Sequence, residues 1–221
     1  MARTAEYMGF EHPTVGRFTD EWEYVPSVTR FFGAFTVVAV IGWLVSTLLT
    51  AIHIFALPAI PAGAPVQGSL EVITSQWAYI FGIPLATFGA VYYLTTIALA
   101  LWWFDTRHPL IVKLLTPLTA TGVLASAYFV WLQLVPIGAI CPFCMVSAAA
   151  TVVLFGLELV ILQKTASPPM SAMVADGLPL LRRTNVPLVI APVLVGLASL
   201  IGLFVIPLLP LPEAVPFVAW L

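Results

Sequence analysis

Ile140-Cys141-Pro142-Phe143-Cys144-Met145-Val146-Ser147-Ala148 opens an apolar run that reaches Leu162 with a single carboxylate, Glu158, inside it. At about 1.5 Å per residue, a helix over Cys141–Leu162 is long enough for the roughly 30 Å of hydrocarbon in a bilayer. The two cysteines are the only ones in the chain. Thiols at i and i+3 on the first turn of a helix can close a disulfide, and this spacing suits dithiol–disulfide exchange. With Cys141 as the cap, Pro142 takes the first helical position, where its missing N–H costs nothing. A helix N-terminus also favours the thiolate. The plain alternative is a pair of small buried apolar side chains. A reactive pair at a membrane surface points to a redox partner that lives in lipid, and quinones are the obvious class.

Working outward, 61% of the 221 residues are hydrophobic, 8% are charged, and the mean hydropathy is +1.07. That excludes an ordinary soluble domain and predicts a polytopic, all-α membrane protein. Five stretches are long enough to span: Phe31–Phe55, Ala78–Phe104, Leu110–Leu134, Cys141–Leu162 and Val186–Leu209. Residues 1–30 lack the apolar core and cleavage site of a signal peptide. They read as a segment on the cytoplasmic headgroups, anchored by Tyr7, Phe10, Phe18, Trp22 and Tyr24. Arg3, Arg17, Arg30, Arg107, Lys113, Lys164, Arg182 and Arg183 all fall on one side of this topology. The positive-inside rule assigns that side to the cytoplasm. The thiols then face outward, where disulfides persist. A net charge of −2 without a basic cluster gives no footprint for nucleic acid.

The loop from Ala56 to Trp77 carries Pro58, Pro61, Pro65, Gly63 and Gly68, and Ser69–Ser75 within it has the spacing of a short amphipathic helix. Asp105–Pro109 and Val135–Gly138 are too short for anything but antiparallel neighbours. Ser147, Ala148, Ala149 and Ala150 allow close approach of a helix or a flat ring. A cytoplasmic loop, 164–185, sets off a fifth helix and an outer, proline-rich tail, 186–221. A zinc site would need four ligands, and only His53 lies at the depth of the thiols. Covalent haem would need histidine where Met145 stands.

The signature Ile140–Ala148, preceded by Ser69-Leu-Glu-Val-Ile-Thr-Ser75-Gln-Trp77-Ala-Tyr-Ile-Phe81-Gly82-Ile-Pro84, resembles the bacterial homologues of vitamin K epoxide reductase. The resemblance covers about 31–163. It implies a four-helix bundle in the bacterial inner membrane, holding a quinone of the menaquinone or ubiquinone class near the outer face. Cys144 matches the cysteine that faces the quinone, and Cys141 the one that exchanges with a loop cysteine. Ser75 matches a serine beside the site, and Trp77 and Phe81 match positions at the helix 2 entrance. Phe143, Met145 and His53 are taken as further quinone contacts. In the family a second cysteine pair in the first outer loop passes electrons to a thioredoxin-like partner. Here those positions fall on Ser69 and near Pro61, and the chain is expected to lack the thioredoxin-like domain that bacterial members often carry after the fifth helix.

Two functions are compatible with this pattern. One is a quinone-linked thiol–disulfide oxidoreductase in which Cys144 acts as the thiolate and an external dithiol, from a thioredoxin-like protein, resets the pair. Without a loop disulfide, the helix mouth is expected to be open to small dithiols. The other is a non-catalytic subunit of a larger respiratory or photosynthetic membrane complex, with a structural, quinone-binding or pigment-binding role. His53 is read chiefly as an interfacial side chain reaching the headgroups, with proton transfer as the functional alternative. Glu158, 14 residues past Cys144 and roughly 21 Å deeper, is expected to reach the inner surface. Tyr92, Tyr93, Trp102 and Trp103 are read as packing and belt aromatics.

Overall fold

The computed structural model describes residues 26–57, 68–165 and 184–208. The N-terminal anchors, Pro61, most of loop 164–185 and the proline-rich tail lie outside the described residues. Among the described residues, five helices are long and apolar enough to cross a bilayer. Helix α1 (Pro26–Ala51) continues into a wider π turn, Ile52–Ala56. A short α2 follows (Ser69–Thr74), then a two-residue hairpin, β1 (Tyr79–Ile80) against β2 (Ile83–Pro84). Helices α3 (Leu85–Thr106), α4 (Pro109–Leu132), α5 (Pro142–Lys164) and α6 (Val186–Val205) follow among the described residues. In lipid every backbone polar group must be satisfied within the segment, which is why runs of this length become helices.

The second span begins at Leu85 and not at Ala78 as hydropathy suggested. Tyr79–Pro84 is apolar throughout, but Phe81 and Gly82 take φ of +51° and +79°. Two left-handed residues in a row, with the proline following, turn the chain back on itself as a hairpin. Phe81 at its tip is 99% exposed.

Helix α1 packs against α3 and α5, and α4 against α5 and α3, closing a four-helix ring. The short α3–α4 link and the Gln133–Ala139 turn make successive helices antiparallel. Helix α6 lies outside the ring against α3, with Gly196 seated on Leu94. Its start is tied to the end of α3. The Asn185 N–H donates to Asp105 Oδ2 at 2.7 Å, and the Trp102 indole N–H donates to Thr184 Oγ1 at 2.8 Å. Large apolar side chains remain exposed around the outside, among them Val37, Leu44, Leu194 and Ile201. A lipid-facing surface needs no polar cover.

The main core sits at the end of the bundle away from the cysteines. Phe32 stacks on Trp103 with centroids 3.8 Å apart and planes 9° from parallel, and Phe35, Ile111, Leu115 and Ile161 close around them. The Arg107 guanidinium covers the Trp103 ring at 4.4 Å. A smaller cluster, with Leu49, Val72, Ile73 and Cys141, sits at the other end.

Candidate functional site

The thiols are positioned by the turn between α4 and α5. Gln133 holds both ends of it. Its backbone carbonyl accepts from the Ala139 N–H at 3.1 Å, and its side-chain Oε1 accepts from the Cys141 N–H at 2.8 Å. Cys141 is the N-cap of α5 in extended conformation, with Pro142 at the first helical position. The Cys144 N–H donates to Cys141 Sγ at 3.3 Å, and the Met145 N–H donates to the Cys141 carbonyl at 3.0 Å. Both cysteines are free thiols.

This geometry places the stabilised thiolate at Cys141. A hydrogen bond from the Cys144 thiol, backbone N–H groups of Cys144 and Phe143, and the Ser69 hydroxyl hold the Cys141 thiol below its ordinary value, against the opposing effect of burial. The expectation that Cys144 is the thiolate therefore meets a different arrangement, because a capping side chain receives the free N–H groups of the first turn and a residue three positions on does not. The expectation of an open helix mouth is also corrected. Cys141 is fully buried, covered by Val72 and Ile73 of α2. Ser69, at the position of the family's exchanging loop cysteine, lies within hydrogen-bonding reach of the Cys141 thiol.

Cys144 faces the other way, into a cavity of about 360 Å3 enclosed by α1, α2, α3, α4 and α5. Its lining is largely apolar. Ala86, Gly89, Gly122, Ala125 and Ala148 keep it wide, and Leu49, Phe88, Phe129 and Leu132 supply bulk. Polar groups converge at a few points: Ser75 and His53 near the thiols, and Tyr92, Tyr93, Ser126, Ser147 and Thr151 deeper in. The Tyr93 hydroxyl donates to the Ser147 carbonyl at 2.6 Å, and the Thr151 hydroxyl to Ser126 Oγ at 2.9 Å. The Tyr92 hydroxyl, buried, has no hydrogen-bond partner among the described residues. It fits only because residue 122 is glycine, where a Cβ would fall 2.3 Å from the hydroxyl oxygen.

Of the residues singled out from sequence, Cys144, Ser75, Trp77 and His53 line this cavity together, and Cys141 lies directly behind Cys144. Phe81, Phe143 and Met145 lie off the lining. On α5 the cavity face is Cys144, Ser147, Ala148 and Thr151, the i, i+3, i+4, i+7 stripe of one helix side. The two neighbours of Cys144 in sequence stand about 100° to either side of it and are exposed. His53 does not reach outward. It is 8% exposed, with Nδ1 2.7 Å from the Leu49 carbonyl and Nε2 3.1 Å from the Ile73 carbonyl, so it ties the end of α1 to α2. Glu158 does not reach the surface either. It is fully buried and accepts a hydrogen bond from Thr119.

Sequence reasoning read Tyr92 and Tyr93 as packing and belt aromatics only, and it passed over Ser126, Gln133 and Thr151. The available signal was hydroxyl and amide groups in spans with no other need for them. Without knowing which helix faces meet, these could not be told from belt residues.

No curated protein matches this chain. The family model described as "Vitamin K epoxide reductase family" matches residues 33–159, which takes in most of α1 and α5, all of α2, α3 and α4, both thiols and the whole cavity. On that match, with the all-α transmembrane bundle and the capped thiol pair it carries, the chain belongs to the vitamin K epoxide reductase family, whose members are membrane thiol–disulfide oxidoreductases.

Proposed function

We propose that this chain couples oxidation of the Cys141–Cys144 dithiol to a membrane quinone, with an external dithiol as electron source. The observation that carries the reading is the split orientation of the pair: Cys144 opens into the cavity, while Cys141 lies behind it against α2 and Ser69. Under this reading Cys144 meets the lipid-soluble reactant, and Cys141 meets the protein partner when α2 opens. The cavity fits the head group of such a molecule in size, since small-molecule sites run from roughly 300 to 1,000 Å3. It also fits in chemistry, since the unpartnered Tyr92 hydroxyl supplies a donor that a carbonyl oxygen would satisfy. Ser75, Trp77 and Gly122 would hold the ring, with Tyr92 toward one oxygen. When bound, a quinone supplies a two-electron, two-proton acceptor. The chain's own part is to hold the dithiol, stabilise the Cys141 thiolate at the cap and keep water out with α2 and the apolar walls.

The orientation is proposed as cysteines outward and N-terminus cytoplasmic in a bacterial plasma membrane, with a thioredoxin-like protein as donor. The test is quinone reduction driven by dithiothreitol in the purified full chain. Turnover lost in Cys144→Ser supports the reading. Quinone binding without thiol-dependent turnover refutes it.

One observation favours the second reading, a non-catalytic subunit of a larger membrane complex. Cys141 is sealed under α2, and the residue beside it is Ser69 rather than a thiol. Under that reading Ser69→Cys forms a disulfide with Cys141 but creates no turnover with a thioredoxin-like donor. Under the enzymatic reading the same variant gains it.

A further inference from the structure

Beneath the cavity floor lies a carboxyl that neither the thiols nor the fold requires. Glu158 sits on α5, fully buried. Thr119 of α4 donates to its Oε2, Thr116 on the same helix lies within hydrogen-bonding reach of the carboxyl, and Oε1 makes no geometric hydrogen bond among the described residues. Ionisable side chains inside a membrane bundle are functional candidates by default. Helical side chains lean toward the N-terminus of their own helix, so Glu158 reaches back along α5 toward the cavity. The floor of the cavity is Tyr92, whose hydroxyl rests on Gly122 of α4. Gly122 and Thr119 are three residues apart, about 4.5 Å of rise on the same side of one helix. Two buried oxygens that make no geometric hydrogen bond among the described residues, Tyr92 Oη and Glu158 Oε1, thus stand one turn apart, the first at the cavity and the second below it.

We propose that Glu158 and Tyr92 form a proton relay that serves the cavity from beneath its floor. Glu158 releases a proton toward the Tyr92 hydroxyl, which passes its own into the cavity; when the external dithiol re-reduces the pair it brings two protons, of which Cys144 keeps one and the other returns by the same route to the Glu158 carboxylate. The inference rests on the quinone reading above and completes its balance. When the dithiol becomes a disulfide, the S–S bond forms, two electrons leave, and the Cys144 S–H bond breaks. With Cys141 entering as the thiolate, only one proton accompanies those electrons. A quinone becoming a quinol takes two electrons and two protons, so the second proton must come from another group. Glu158 supplies it. The titratable groups facing the route are Tyr92 and Tyr93 of α3; the latter is engaged by Ser147.

The test uses the full chain in lipid nanodiscs with a short-chain benzoquinone as probe. Quinone affinity, dithiothreitol-driven turnover and the infrared difference spectrum on quinone addition are measured for wild type, Glu158→Gln, Glu158→Asp and Tyr92→Phe. The relay predicts a protonated-carboxyl band that responds to quinone in wild type and is missing in Glu158→Gln. It also predicts that Glu158→Gln keeps quinone affinity while turnover falls about 100-fold, the low end of what a positioned proton donor contributes. Glu158→Asp keeps the band and recovers part of the rate, and it serves as the test should the glutamine variant not fold. Combining Glu158→Gln with Tyr92→Phe lowers the rate no further than the worse single change, because the two act in series. Turnover of Glu158→Gln within about twofold of wild type, or a band unmoved while quinone binds, overturns the relay and leaves the quinone reading standing. Failure of the wild-type chain to bind quinone overturns both.

Discussion

The two ends of the bundle are built from the same four helices and differ in almost everything else. Away from the cysteines, the space between α1, α3, α4 and α5 is filled by Phe32 stacked on Trp103, with Phe35, Ile111, Leu115 and Ile161 around them. At the cysteine end, glycine and alanine at 89, 122, 125 and 148 leave a cavity, and hydroxyl and amide groups take the places of large apolar side chains. The first end holds the helices together by close packing, where every lost contact is felt. The second is kept open by that rigidity. Chemistry placed there can be changed with little effect on folding, and the sealed end can be damaged without touching the reacting groups directly.

The comparison can be broken most sharply at Cys144. Cys144→Ser should abolish dithiol-driven quinone reduction while the thermal midpoint stays within a few degrees of wild type, since the side chain faces the cavity. A collapse of the fold in this variant would show that the open end also carries stability. The converse change, Trp103→Ala, should cost about 3–5 kcal/mol by unfolding in detergent, as large core truncations do. Retention of wild-type stability would mean that the aromatic stack is not what holds the bundle.

A smaller effect should sharpen the role of α2. His53→Leu removes the contacts to the Leu49 and Ile73 carbonyls. A neutral imidazole donates to one of these carbonyls at a time, so with about 1 kcal/mol at stake local opening of α2 becomes roughly fivefold more frequent. Alkylation of buried Cys141 should accelerate by that factor, while Cys144 in the cavity changes little. Equal acceleration at both thiols would indicate general loosening rather than an unlatched cover.

The smallest effect concerns pH. The midpoint for alkylation of Cys141 should lie below the ordinary thiol value of about 8.5. Because the folded value is depressed, the thiolate's contribution to stability is complete above the unfolded value and is lost as pH falls through the folded one. Cys144→Ala removes the thiol hydrogen bond that contributes most and should move the midpoint upward, though not all the way, because the backbone N–H groups remain. An unchanged midpoint would mean that the cap alone stabilises the thiolate.

Much of this was determined by the sequence itself. Five spans, antiparallel neighbours across the short links, Cys141 as cap with Pro142 behind it, and a short helix from Ser69 all follow from interactions within a few residues. A backbone in hydrocarbon must satisfy its own hydrogen bonds, so hydropathy and local capping suffice to place such elements. The exception, Tyr79–Pro84, is as apolar as a helix and becomes a hairpin because of two consecutive φ values that hydropathy does not register. What only the tertiary structure decided lies between helices. Ser69 beside Cys141, Tyr92 over Gly122, Glu158 against Thr119, and the cover that α2 places on the first thiol join residues from 30 to 72 positions apart. The apolar pattern of a transmembrane helix is nearly uniform around its circumference, so it carries little record of which face turns inward. Packing alone settles that, and with it which hydroxyls become a cavity lining and which carboxyl is sealed beneath it.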